Sequence, residues 1–193
     1  MTVLQFVFAI LVLLCTPGPT NTLMALGGYE RGWLAAWPLI LGELCGYLAV
    51  IVPVATLAAP VFDAYPQAGL LAKLLAGVWI LSLSYRLWTT RTGSEGPPKI
   101  TVRQVALTTL LNPKALIIAL VIMPHGGFVA LLPRLALFAM LVGLAANGWI
   151  LAGMSMRRAT RIHIAPDLIR KTAAAFLLVF ATILAGSSIQ ALA

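Results

Sequence analysis

Residues 3–24 read VLQFVFAILVLLCTPGPTNTLM. The stretch is apolar except for Gln5 and Thr16 until it meets Pro17-Gly18-Pro19, and three polar residues, Thr20, Asn21 and Thr22, follow. Its length and apolarity match a bilayer-spanning helix, which needs roughly 20 such residues. Proline removes a backbone donor and its ring clashes with the preceding turn. Two prolines around a glycine therefore unwind the span locally. The freed carbonyls and amides cost several kcal/mol each in hydrocarbon, so they must meet protein, water or a ligand.

Working outward, five more apolar segments appear: Trp33 to Ala59, Gly69 to Trp88, Gln104 to Met123, Leu131 to Met154 and Thr172 to Gln190. The expected fold is all-α, a single transmembrane domain over residues 1–193 with six spanning helices. Composition agrees, with 61% hydrophobic residues, 9% charged and a mean hydropathy of +1.01. Soluble domains average about 45–50% apolar and about 25% charged. The lipid bilayer is the natural solvent for such a chain.

The net charge of +8 would suggest nucleic acid in a soluble protein. Here the basic residues sit in short loops between apolar segments, and no nucleic-acid partner is expected. Loops one, three and five carry ten Lys and Arg, against Arg134 on the other side. The positive-inside rule then puts those loops in the cytoplasm and both termini in the periplasm of a bacterial inner membrane. No Lys or Arg precedes Val3 and no small-residue cleavage site follows, so the first segment does not read as a removable signal. Cys15 and Cys45 lie inside apolar segments with no metal or disulfide spacing and read as buried thiols.

The Thr92 to Pro98 linker divides the chain into halves, 1–91 and 99–193. Three spans per half force the halves into opposite orientations, the inverted repeat of many secondary transporters. Each half breaks its first helix with proline, at Pro17-Gly18-Pro19 and at Asn112-Pro113. Matched breaks of this kind point to a binding site.

The candidate site residues follow from those breaks. Thr16, Pro17, Gly18, Pro19, Thr20 and Asn21 form the first, which either binds a small polar solute or is a packing kink. Asn112, Pro113 and Lys114 form the second. Lys114 lies 11 residues after Arg103, roughly 16 Å along a helix. A lysine so deep faces the interior or snorkels to the cytoplasmic side. Glu43 stands about ten residues into the second span and is a functional residue or half of a structural ion pair. We expect Glu43 and Lys114 to face each other across a central cavity. Gly42 and Gly46 have the small-xxx-small spacing of close helix packing. Asn147, mid-way along the fifth span, is either an interhelical hydrogen bond or a site contact. Lys73 reads as snorkelling, His125 and His163 as solvated loop residues, and Trp88 and Trp149 as interface anchors or core. No nucleophile–base pair, phosphate-binding glycine loop or metal cluster is present, so neither enzyme activity nor a cofactor is expected.

Thr16-Pro17-Gly18-Pro19, Gly28 to Gly32, Lys73-Leu74-Leu75-Ala76-Gly77 and Leu111-Asn112-Pro113-Lys114, in this order, resemble the LysE/RhtB-type amino-acid exporter family along nearly the whole chain. The resemblance implies a small exporter of amino acids or close derivatives, driven by the proton gradient, with a homodimer as one possible assembly. The chain departs from the family at Trp79-Ile80 and Ser84, where a tyrosine-leucine pair and a glycine are usual. It also has Asn147 near a frequent acidic position. Two other readings compete. A transmembrane thiol-electron carrier needs a cysteine in each half, whereas Cys15 and Cys45 share the first. Efflux of another small solute or cation would use similar broken helices.

Overall fold

The computed structural model describes residues 1–58, 66–89, 100–124, 127–159 and 166–190, with several side chains left undescribed, chiefly within 66–76, 158–170 and 183–190. The Thr92 to Pro98 linker, His125, His163 and the side chain of Lys73 lie outside what is described.

The described residues are helical throughout, with no strand among them. Helix α1 (Val3–Cys15) starts from a capping box in which Gln5 N donates to Thr2 Oγ1 and Thr2 N to Gln5 Oε1. It stops at Thr16, where the prolines end the hydrogen-bond ladder. Helix α2 (Pro19–Arg31) restarts with proline in its first turn, where the missing donor costs nothing. The segment expected to end near Met24 thus runs on to Arg31. Gly32, with φ +76°, closes α2 and leads into α3 (Trp33–Ala36) and α4 (Pro38–Pro53). Pro53 has no N–H to offer, and the chain continues as a π-helical turn over Val54–Ala58.

Helix α5 covers Pro66–Thr89. A second capping box, Thr101 with Gln104, opens α6 (Val102–Leu110). After the break, α7 (Pro113–Ile117) passes into a π-helical turn, Ile118–Ile122. Helices α8 (Phe128–Ala159) and α9 (Pro166–Gln190) complete the described chain.

Two helices, Trp33–Leu57 and Phe128–Arg157, are long and apolar enough to cross a membrane. The number rises to four if each bent pair counts as one span: α1 with α2, bent by 64°, and α6 with α7 and its π turn, bent by 52°. These helices suit a membrane protein.

Three pairings organise the bundle: α5 with α9, α2 with α8, and α4 with α6. Small residues bring two of them close. A Cβ added to Gly28 would collide with the carbonyl of Ile150, and one added to Gly153 with that of Ala25. The expected small face on α4 is present: Cβ atoms on Gly42 and Gly46 would lie 2.6 Å from Val102 O and Ala106 O. Ser84 Oγ donates to Ala174 O at 2.7 Å and ties α5 to α9.

The interior forms two apolar clusters. One holds Leu23, Met24, Leu39, Ile40, Val105 and Ile150, with residues of α5 and α9. The other holds Phe6, Ile10, Leu14, Tyr47, Ile51, Ile118 and Phe138. Cys15 and Cys45 belong to neither, for both are exposed. The expectation of buried thiols fails because an apolar segment in a bilayer has an outward face as apolar as its inward one.

Candidate functional site

The chain passes between the two clusters three times with buried polar residues at the crossing. Between Leu14 and Leu23 these are Thr20 and Asn21; between Ile40 and Tyr47, Glu43; between Val105 and Ala115, Thr108, Thr109, Asn112 and Lys114. A polar layer thus lies at the level of both helix breaks, closed off on each side by apolar packing.

The first break sets up the layer. An α-helix leaves its last carbonyls without intrahelical partners, and those of α1 are met by side chains of Asn21, Lys114 and Trp149. Asn21 Nδ2 donates to Leu14 O and Thr16 O, both at 2.8 Å. Trp149 Nε1 reaches Leu14 O at 3.2 Å from α8. Lys114 Nζ donates to Leu13 O at 2.9 Å and also to Thr16 O. The ammonium therefore caps the negative end of the α1 dipole, where a cation is favoured. Gly18 leaves room for it, since a Cβ there would come within 3.1 Å of Nζ.

The second break is built differently. Asn112 caps α7 by accepting from Lys114 N at 3.1 Å, and its Nδ2 donates to Thr20 Oγ1 at 3.2 Å. Thr20 and Thr109 hydroxyls are 3.2 Å apart, and Thr109 Oγ1 donates to Val105 O. A consistent chain of donors therefore runs from Asn112 through Thr20 and Thr109 to the α6 backbone. Trp79 Nε1 donates to Thr108 Oγ1 at 3.0 Å and brings α5 to the edge of this layer.

Glu43 is the exception to this satisfaction of partners. It is 2% exposed, and its Oε2 is buried with no hydrogen-bond partner. The expected pairing of Glu43 and Lys114 takes another form: both occupy the layer, but the lysine donates to α1 carbonyls, and Oε2 of the carboxylate has no partner. Among the described residues they are the two buried acidic and basic side chains. A buried charge without a bonded partner costs several kcal/mol, so Glu43 is poised to take a proton or a cationic group. Among the described residues, no group of three His, Cys, Asp or Glu converges as a metal site would require.

The expected site residues divide. Gly18, Pro19, Asn21, Glu43, Asn112 and Lys114 are buried in or beside the layer, and Pro113 is half-buried. Thr16 and Pro17 expose their side chains, and Thr16 Oγ1 turns back to Val12 O; of Thr16 only the carbonyl serves the layer. Asn147 is not brought in. Its Oδ1 accepts from Trp33 Nε1 at 2.8 Å and its Nδ2 donates to Gly143 O, which makes it an interhelical tie.

Three further residues were not among the expected site residues. Thr109 carries no mark apart from its place three residues before Asn112. Trp149 was weighed as an anchor or core residue, yet its indole N–H serves the break. Tyr47 was legible, being one helical turn after Glu43; it is 1% exposed and packs edge-on against Phe138 at 5.5 Å, forming the roof of the layer.

Compared with known proteins, the chain matches no family model, no curated protein and no solved structure.

Proposed function

We propose that the protein is a secondary transporter of the bacterial inner membrane that exports amino acids or close derivatives. In this reading the chain has six spans in two inverted halves, as its resemblance to LysE/RhtB-type exporters implies. The polar layer binds the substrate, and the two apolar clusters act as alternating barriers. The observation that carries the reading is Glu43, a buried carboxylate with an unpartnered oxygen, in the same layer as an ammonium held by backbone carbonyls. A zwitterion complements that pair: its ammonium goes to Glu43, and its carboxylate draws Lys114 off the end of α1. Protons occupy Glu43 when substrate does not, which couples export to the proton gradient. The reading needs no cofactor and no chemical step.

The test is an export screen. Cells expressing the protein are loaded with dipeptides, and each released amino acid is measured against cells expressing Glu43→Gln. Faster release of at least one amino acid, lost in the variant, supports the reading. Equal release from both strains for every amino acid overturns it.

A further inference from the structure

The end of α2 holds a second unsatisfied group, away from the polar layer. Arg31 is the last residue of α2, and Gly32, at φ +76°, turns the chain sharply into Trp33. A hollow of about 360 Å³ lies beside it, lined by Arg31, Trp33, Leu34, Leu151 and Met154. Arg31 is half-buried, and its Nε has no hydrogen-bond partner. The Trp33 indole is fixed as a wall, because its N–H is held by Asn147 Oδ1.

Glu30, next in the chain, turns its Oε2 towards Ile100 N at the start of α6. Arg103 is exposed on α6, and Arg157 stands on α8 one turn beyond Met154. The hollow thus joins a guanidinium N–H without an acceptor to apolar walls, with Leu34 79% and Leu151 42% exposed at its rim. A guanidinium complements a phosphate in charge and in hydrogen-bond geometry. Beside that charge, Leu34, Leu151 and Met154 supply apolar surface that complements chains attached to a phosphate. The location, at the end of the helices where the basic residues gather, is where anionic headgroups concentrate.

We infer that this hollow is a binding site for one anionic phospholipid, with its phosphate on Arg31 and its upper acyl chains along Leu34, Leu151 and Met154. The inference requires that the chain lie in a bilayer; it does not depend on what the polar layer carries.

Native mass spectrometry of the detergent-purified protein, titrated with phosphatidylglycerol or with phosphatidylcholine, tests it. One phosphatidylglycerol should bind the wild type more tightly than phosphatidylcholine does. Arg31→Gln should weaken phosphatidylglycerol about fivefold, the loss expected for one basic residue at a lipid surface, and leave phosphatidylcholine unchanged. Arg31→Lys should keep part of the preference, which guards against misfolding of the first variant. Leu151→Trp, which fills the hollow, should weaken both lipids, and Arg103→Gln should weaken neither. Wild-type phosphatidylglycerol affinity in Arg31→Gln overturns the site. Displacement of the bound lipid by millimolar inorganic phosphate overturns the lipid as its occupant.

Discussion

The ammonium of Lys114 lies 2.9 Å from the carbonyl oxygen of Leu13, so a side chain of the second helix break completes the first. The two residues are 101 positions apart. Proline makes each break and a nearby asparagine, Asn21 or Asn112, serves it locally, but the ammonium at the first break comes from the other half of the chain.

Removing the donors at this junction should destabilise the protein in proportion to the hydrogen bonds lost. Asn21→Ala removes two, to Leu14 O and Thr16 O, which keep Trp149 and Lys114 as donors. A typical intramolecular hydrogen bond contributes about 0.5–1.5 kcal/mol net. At about 2–4 °C per kcal/mol for a chain of this size, Asn21→Ala should lower the melting temperature by several degrees. Trp149→Phe should cost less, because it removes one bond and Asn21 still serves Leu14 O. Thermal unfolding in one detergent checks the order.

Glu43→Gln should separate stability from function. The substitution removes a buried carboxylate whose Oε2 has no partner, so the variant should melt at or above the wild-type temperature. Its export should fall to background and lose its dependence on pH, because the titratable group is gone. A fully active variant with the wild-type pH profile would show that the carboxylate has no part in transport.

Lys114→Met should behave in the opposite sense. It leaves Leu13 O without its donor and should lower the melting temperature by several degrees, at about 1–3 kcal/mol for the bare acceptor, as well as stopping export. The double variant Glu43→Gln/Lys114→Met should show the sum of the two single effects, since the two side chains are not bonded to each other. A double variant well above that sum would reveal an ion pair instead.

Gly153→Leu should be the most damaging single change to the bundle. An added Cβ already collides with the Ala25 carbonyl, so α2 and α8 must move apart, and overpacking of this kind typically costs about 1–3 kcal/mol. Gly143→Ala, with nothing within 4 Å of its added Cβ, is the matched control. Loss of folded yield in the first and not the second is the expected result on size-exclusion chromatography.

Both breaks were legible from sequence because proline acts through local geometry. The Gly42/Gly46 face was legible because its members share one helix turn. Gly28 and Gly153 pack on the backbone at Ile150 and Ala25, in segments that nothing in the sequence ties together. The partner of Lys114 was illegible for a related reason: its acceptors are backbone carbonyls, which every residue possesses. An acidic residue advertises itself as a partner, and the natural expectation of a pair with Glu43 followed from that. Cys15 and Cys45 were misread as buried because hydrophobicity in a lipid solvent does not tell an inward face from an outward one.

The reach of Lys114 across the chain also sets an order of assembly. The ribosome delivers Leu13 to the membrane long before residue 114 exists, and Trp149, the indole donor to Leu14, is later still, 135 positions downstream. Until Lys114 arrives, the nascent first helix has a carbonyl at Leu13 with no donor to meet it. An N-terminal fragment ending at residue 98 should therefore be degraded after insertion. Co-expression with the fragment 99–193 should protect it, and a pulse-chase with the two halves made from separate messages reads this directly. A fragment that persists by itself would mean that the first half waits stably in the bilayer. The bend at Pro17 is in this sense a promise made early in synthesis and kept only when the second half has been translated.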